Sequence, residues 1–346
     1  MKIFFYLKNL IFGLSHRTYL IIREYKLDKS FKYVWGMKRS GQYIRKNVEK
    51  SKIIYLEDGF IHSFGGKKNY IPLSICLDKN GIYYNFESNS DLFKNIYQDL
   101  SEENNIRARK IIKLWKEYSI SKYNFTNVIE PPSDKYILLI DQTFGDLSIF
   151  YGDARKKSFS EMFNFACRNW PEHKIIIKVH PDVVNSKKLG CIDKTFFEKK
   201  NVLVISELGQ INKLIEFSSA VCVVTSQVGF EALIYGKEVH VFGKPFYSGL
   251  GLTIDHSNYK RSNKNISIEQ LVFALLVKYQ TCLDPRTKKI CPVEEIMSYV
   301  KKQREFAEFF PKDFGSINLT PWKVRQINRF VFDVTGKRIS FLGSFK

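Results

Sequence analysis

Residues 136–149 read Tyr136-Ile137-Leu138-Leu139-Ile140-Asp141-Gln142-Thr143-Phe144-Gly145-Asp146-Leu147-Ser148-Ile149. A short apolar run stops abruptly on carboxylates, an amide, hydroxyls and a glycine. Ile175-Ile176-Ile177-Lys178-Val179-His180-Pro181-Asp182 is built the same way and ends on Lys178 and His180. Apolar runs of this length suit strands buried on both faces of a parallel sheet. In such sheets, ligands bind outside the carboxyl ends of the strands. Two neighbouring strands that both end in chemically able residues predict a single cleft.

Downstream the pattern alternates regularly. Strands are predicted at 136–140, 174–179, 202–204, 220–224 and 238–242. Helices are predicted at 160–169, 209–217, 228–235 and 268–279. This is the signature of βαβ units on a parallel sheet. Further helix is predicted over 293–309 and 321–332.

Upstream, strands are predicted near Tyr33–Trp35 and Ile53–Leu56. A hairpin of 73–77 with 82–84 is predicted across the Asn80-Gly81 turn signal. Helix is predicted across 91–118. Pro131-Pro132-Ser133-Asp134 breaks the pattern and reads as a linker. The division expected is an α/β domain over 1–132, a second α/β domain over 133–310, and C-terminal helices over 311–346 that return to the first.

Bulk composition narrows the function classes. The 346 residues are 44% hydrophobic and carry 55 Lys plus Arg against 35 Asp plus Glu, a net charge of +20. Disorder is excluded, and an anionic partner is favoured. The lysines are scattered and not clustered with aromatics, so nucleic acid is not the partner predicted. The six cysteines show no CxxC or Cys/His metal spacing, and a reducing compartment follows. Residues 1–14 are too short and interrupted to span a bilayer. At helical spacing they suit an amphipathic helix, packed on the protein or lying on an anionic membrane surface.

The candidate chemistry sits at strand ends. Asp141 and Asp146 are carboxylates able to attack an anomeric carbon or take a proton, or to cap the structure that follows. Lys178 and His180, with Pro181 fixing the backbone, suit a phosphate; His180 also suits a general acid. Thr225-Ser226-Gln227-Val228-Gly229-Phe230-Glu231 opens a helix with hydroxyls, as an anion site or a plain cap. Glu231 suits ribose hydroxyls or the first turn of its own helix. Glu57 and Asp58 end a strand of the first half as an acid/base pair or a turn. No Asp-x-Asp, GxxxxGK[ST] or GxGxxG motif is present, which disfavours metal-nucleotide and dinucleotide readings.

Taken in order, Trp35-Gly36, Glu57–Ser63, Pro72-Leu73-Ser74, Gly81–Tyr84, Asp141–Tyr151, Lys178–Val183, Thr225–Ala232 and Pro245–Thr253 resemble the bacterial capsular-polysaccharide β-Kdo glycosyltransferases. The resemblance runs from about Val34 to Asp255. Those enzymes often carry two modules. This chain has length for one, and its Gln142-x-x-x-Asp146-x-Ser148 segment is more similar to the second. The resemblance implies a GT-B-like fold, two Rossmann-like domains with the active site between them. It implies CMP-Kdo as donor, retention of configuration and no metal or other cofactor. Asp146 is then the nucleophile, with Asp141 and Gln142 beside it and Glu57 and Asp58 on the acceptor side. Lys178, His180, Pro181, Ser148, Thr225, Ser226, Gln227, Gly229 and Glu231 hold the nucleotide sugar. The acceptor implied is a lipid-linked or oligosaccharide glycan, a Kdo-containing capsule linker or another surface polysaccharide. The setting implied is cytoplasmic, at the inner face of the inner membrane. The alternatives are another GT-B CMP-sugar transferase, such as a sialyltransferase, and a non-catalytic glycan-binding relative.

Overall fold

The structure, a computed structural model, describes residues 16–65, 71–185, 188–257, 259–262 and 264–309. The N-terminal segment 1–14 and the helix expected at 321–332 lie outside the described residues.

The second sheet follows the alternating apolar pattern. Its strands are β6 (Tyr136–Ile140), β7 (Lys174–Lys178), β8 (Val202–Ile205), β9 (Ala220–Val223), β10 (Val239–Val241) and β11 (Ile254–Asp255). They run in the order β11-β10-β9-β6-β7-β8, and every pairing is parallel. The chain steps from β6 outward to β7 and β8, then returns to β9 on the other side of β6. That reversal makes the crevice between the ends of β6 and β9 the expected ligand site. Alternate residues face opposite layers. Ile137, Leu139, Ile175 and Ile177 pack on Phe159, Met162, Phe163 and Ala166 of the helix Lys156–Asn169. Leu138, Ile140, Ile176, Val221 and Val223 face the main core.

The first sheet contains β1 (Lys32–Trp35), β2 (Ile53–Asp58), β4 (Ser74–Asp78), β12 (Gln280–Leu283) and β13 (Ile290–Cys291), in the order β1-β2-β4-β12-β13. A small third sheet pairs β3 (Ser63–Phe64) with β5 (Tyr123–Asn124). β1 and β2 are parallel, with Trp35 opposite Leu56. β4, β12 and β13 extend that pair antiparallel. The architecture is GT-B-like, two α/β sheets flanking a cleft. The rings of Phe60, Tyr83, Trp115, Phe230 and Phe246 interlock in edge-on and tilted contacts between the two sheets.

Three local expectations change. Residues 82–84 form no strand, because β4 already has β2 on one edge and β12 on the other. The helix expected over 91–118 is two, Asp91–Ile96 and Glu102–Glu117. Ser101 caps the second by accepting from the Asn104 N–H, which restarts the helix. Residues 280–291 were expected in the second domain, 133–310, yet they complete the first sheet. Cys282 faces Ser74 of β4, so that domain's sheet ends before residue 280. The helix Val293–Phe309 returns to the first unit through the Glu294 pair with Arg107 and through Arg304, which donates to Phe125 O and Asn124 Oδ1. Among the described residues no helix is long and apolar enough to cross a membrane.

Candidate active site

A cavity of about 610 Å³ lies between the sheets. Its floor and second-unit wall come from the ends of β6, β7 and β9, and its opposite wall includes Glu57, Asp58 and Tyr84.

The two carboxylates after β6 have separate fates. Asp141 is buried, and its Oδ1 accepts three backbone N–H groups, from Gln142 at 2.8 Å and from Cys191 and Ile192 at 2.9 Å. Burial raises its pKa against those N–H groups. A Cβ on Gly190 would lie 2.0 Å from Asp141 Oδ2, so glycine is required there. Asp141, expected to support the chemistry, anchors the 190–192 loop through Oδ1, which takes three backbone N–H groups. Asp146 is exposed, on a loop turned by Gly145 at φ +82°. Its Oδ1 accepts from the Ser148 N–H at 2.9 Å and caps the helix Leu147–Tyr151. Asp146 is therefore both a cap and a cleft-lining carboxylate.

Gln142 bridges the crevice. Its Oε1 accepts from the Thr225 N–H at 2.9 Å, and its Nε2 lies 3.0 Å from Thr225 Oγ1. Ser148 Oγ stands 3.3 Å from Thr225 Oγ1. Gln142 and Thr225 at two strand ends and Ser148 in the helix between are thus locked into one hydroxyl-rich patch. Ser226 Oγ accepts from the Val228 N–H and opens the helix Val228–Ile234. Gly229 serves packing: a Cβ there would meet Tyr247 Oη at 2.3 Å.

His180 accepts the Asp182 N–H on Nδ1 at 3.0 Å. A backbone N–H can only donate, so the ring proton sits on Nε2. Burial holds its pKa down to about 4. The imidazole is neutral near pH 7 and offers an N–H, which fits a phosphate contact and removes the general-acid expectation for an imidazolium. Pro181 begins the short helix Pro181–Asn185, where its missing N–H costs nothing. Lys178 is buried and donates to the carbonyls of Val179 at 3.0 Å and Glu207 at 2.9 Å. Burial brings its pKa down to about 8. Its ammonium is held by backbone oxygens, which weakens the expectation of a phosphate ligand.

Glu231 is buried and occupied. It accepts from Ser121 Oγ at 2.8 Å, the Lys122 N–H at 3.2 Å and Gln227 Nε2 at 3.1 Å. Gln227 also donates to Phe60 O. The helix after β9 is thereby tied to the first unit.

On the facing wall, Glu57 Oε1 accepts from Trp35 Nε1 at 2.9 Å. Burial and the neighbouring Asp58 charge raise its pKa. Burial pushes Asp58 upward too, but His62 at 3.3 Å and Arg17 at 2.6 Å hold it below the usual carboxylate range. Adjacent carboxyls driven apart in this way have distinct acid and base capacities.

Ser121, Lys122 and Tyr123 also line the cavity, and sequence reasoning passed over them. Ser121 and Lys122 lie in a short loop after a long helix and Tyr123 starts the two-residue β5, without an apolar run or a motif to draw attention. Among the described residues, no cluster of three or more His, Cys, Asp or Glu side chains has the arrangement of a metal site.

Comparison with known proteins places this geometry. The family described as capsule polysaccharide biosynthesis protein matches residues 33–110 and 94–281. A capsule polysaccharide modification protein LipA of Neisseria meningitidis is 30% identical over 330 residues, 90% of this chain and 46% of the relative. The lipopolysaccharide-processing protein LpsZ of Rhizobium meliloti is 31% identical over 260 residues, 71% of this chain and 58% of the relative. The chain spans about half the length of the curated relatives it matches. The solved β-Kdo 2,4 transferase KpsC of Thermosulfurimonas dismutans is 31% identical, with a TM-score of 0.72 over 78% of this chain and 86% of that one. The β-Kdo 2,7 transferase KpsC of the same organism is 26% identical, with a TM-score of 0.64 over 84% of this chain and 90% of that one. The chain belongs to the capsule polysaccharide biosynthesis family.

Proposed function

We propose that this member of the capsule polysaccharide biosynthesis family is a retaining β-Kdo glycosyltransferase. It takes Kdo from CMP-β-Kdo and passes it to a glycan acceptor through a covalent adduct on Asp146. The observation that carries this reading is the contrast between two neighbouring carboxylates. Asp146 is exposed at the cleft wall, whereas Asp141 is buried with three N–H groups on one oxygen. The relatives named β-Kdo transferases support the sugar.

Retention takes two inversions. In the first, an Asp146 oxygen bonds to the anomeric carbon while the bond to the phosphate oxygen breaks and its electron pair leaves with CMP. In the second, an acceptor hydroxyl displaces Asp146 and gives its proton to a base. Glu57, with its raised pKa, suits that base, and Asp58 stays ionised beside it. On the donor side, His180 Nε2–H and the hydroxyls of Ser148, Thr225 and Ser226 meet the CMP phosphate, with Lys178 adding charge behind them. Glu231 reaches ribose only by exchanging one of its three protein donors. The reading calls for no metal or other cofactor. A lipid-linked or oligosaccharide acceptor from a capsule or other surface polysaccharide fits it, at the cytoplasmic face of the inner membrane. The net charge of +20 supports anionic substrates and an anionic surface.

Incubation with CMP-Kdo and no acceptor, followed by intact-protein mass spectrometry, tests the reading. A Kdo-sized addition mapped to Asp146, discharged by a Kdo-terminated acceptor, is the expected result. An adduct mapped to Asp141 or Glu57, or no transfer to any acceptor, overturns it.

A further inference from the structure

A carboxylate nucleophile faces a particular obstacle on a sugar acid of the Kdo class. The anomeric carbon it attacks carries a carboxylate of its own. Two like charges must approach within a few ångströms, and their repulsion disfavours that approach. Such a site needs a cation beside the attacking oxygen.

Four lysines line the cleft: Lys38, Lys122, Lys178 and Lys188. Lys178 is committed to two backbone carbonyls. Lys188 is paired with Asp182 at 3.0 Å. Lys38 stands over the Trp35 ring, 5.1 Å from its centroid, on the Glu57 wall. Lys122 forms no ion pair among the described residues, and its ammonium stands 5.8 Å from the Tyr123 ring centroid. Its backbone is fixed on both sides of the cleft. Its N–H donates to Glu231, and its carbonyl accepts from the His62 N–H at 2.9 Å and the Ser63 N–H at 3.4 Å. Burial works against its charge, while Tyr123 and then Asp58, Glu57 and Asp146 favour it; these three carboxylates line the same cavity as Lys122.

We infer that the Lys122 ammonium is the group that binds the donor's carboxylate, pairing with it so that the Asp146 carboxylate can reach the anomeric carbon. The inference rests on the proposed use of a sugar-acid donor. Lys122 keeps its proton throughout. It touches the substrate and neutralises the charge that would repel the nucleophile, and it thereby favours sugar acids over neutral sugars.

The test compares the wild type with Lys122→Met and Lys122→Arg, using CMP-Kdo. Three quantities are read: the rate of adduct formation without acceptor, kcat/KM for CMP-Kdo with acceptor, and the Kd of CMP alone. Lys122→Met should lower the first two by about a hundredfold or more, the scale of losing one preorganised charge-stabilising group. CMP affinity should stay within about threefold, because CMP has no such carboxylate. Lys122→Arg should recover at least about tenfold, since the charge returns on a different shape. A Lys122→Met enzyme with wild-type adduct formation and a raised acceptor KM would assign Lys122 to the acceptor and overturn the inference while leaving the transferase reading intact. Equal loss of CMP binding in both variants would make Lys122 purely structural. A wild type that neither forms adduct nor transfers Kdo sinks the reading itself, and the inference with it.

Discussion

Ser121 Oγ lies 2.8 Å from Glu231 Oε2 across the floor of the cleft, one residue from each unit. Glu231 is 1% exposed, and burial outweighs its three hydrogen bonds and raises its pKa to about 7. Between about pH 4.5 and 7 the folded protein therefore keeps a proton that the unfolded chain releases. The stabilisation is complete below that window and is lost as pH rises through it, on the order of 3 kcal/mol. Glu231→Gln is neutral throughout and keeps a hydrogen-bonding group beside Ser121 Oγ. Urea unfolding at several pH values should show a wild-type stability that falls from pH 5 to 7.5 relative to the variant. Parallel curves would mean that the carboxyl is ionised in the fold.

Asp146→Asn should lower transfer by at least about a thousandfold, as loss of a nucleophile does, with CMP binding measured by calorimetry nearly unchanged. An Asp146→Asn enzyme with substantial transfer would count against the adduct.

Asp141→Asn should keep most of the transfer per folded molecule, since its remaining carbonyl oxygen can still accept from residues 142, 191 and 192. Asp141→Ala strands those N–H groups in the interior, and each unmet buried donor costs about 1–3 kcal/mol. Thermal denaturation should rank wild type above Asn and Asn above Ala. A catalytic role for Asp141 would instead appear as lost transfer in a stable Asn variant.

His180→Ala should weaken CMP binding by about tenfold through loss of one donor to a charged oxygen. With a folded pKa of about 4, the imidazole does not titrate near neutrality. His180→Asn should therefore show a CMP-affinity profile between pH 6 and 8 of the same shape as the wild type. A wild-type profile that steepens below pH 7 while the variant stays flat would mean that an imidazolium binds the phosphate.

Gly229→Ala should destabilise the fold by about 1–3 kcal/mol, the usual cost of overpacking, because its methyl would overlap Tyr247. CMP affinity of the folded fraction should be little changed. A folded variant of normal stability that no longer binds CMP would return Gly229 to the nucleotide site.

Five of the six strands of the second sheet were legible because each carries its own evidence; the two-residue β11 was not. Ile175-Ile176-Ile177 and Ile137–Ile140 are buried on both faces, and their apolar runs stop where the cleft starts. What the sequence could not reveal is how identical residue types divide their work. Asp141 and Asp146 differ by whether backbone donors surround them, which depends on the loop at 190–192. Lys122 and Ser121 enter the cleft through a turn fixed by long-range bonds to His62 and Glu231. Residues 280–283 look like any strand after a helix, and nothing local says that their partner is Ser74–Asp78, some two hundred residues earlier in the chain.

That long-range pairing reverses the order in which the protein can be completed during synthesis. All six strands of the second sheet lie between residues 136 and 255. The outer edge of β4 waits for β12, which ends at residue 283. A growing chain thus holds every strand of the later-encoded sheet before the earlier-encoded one can close. Until then β4 presents an unpaired edge, the kind of surface that recruits foreign strands. The half that leaves the ribosome first is the half that is finished last.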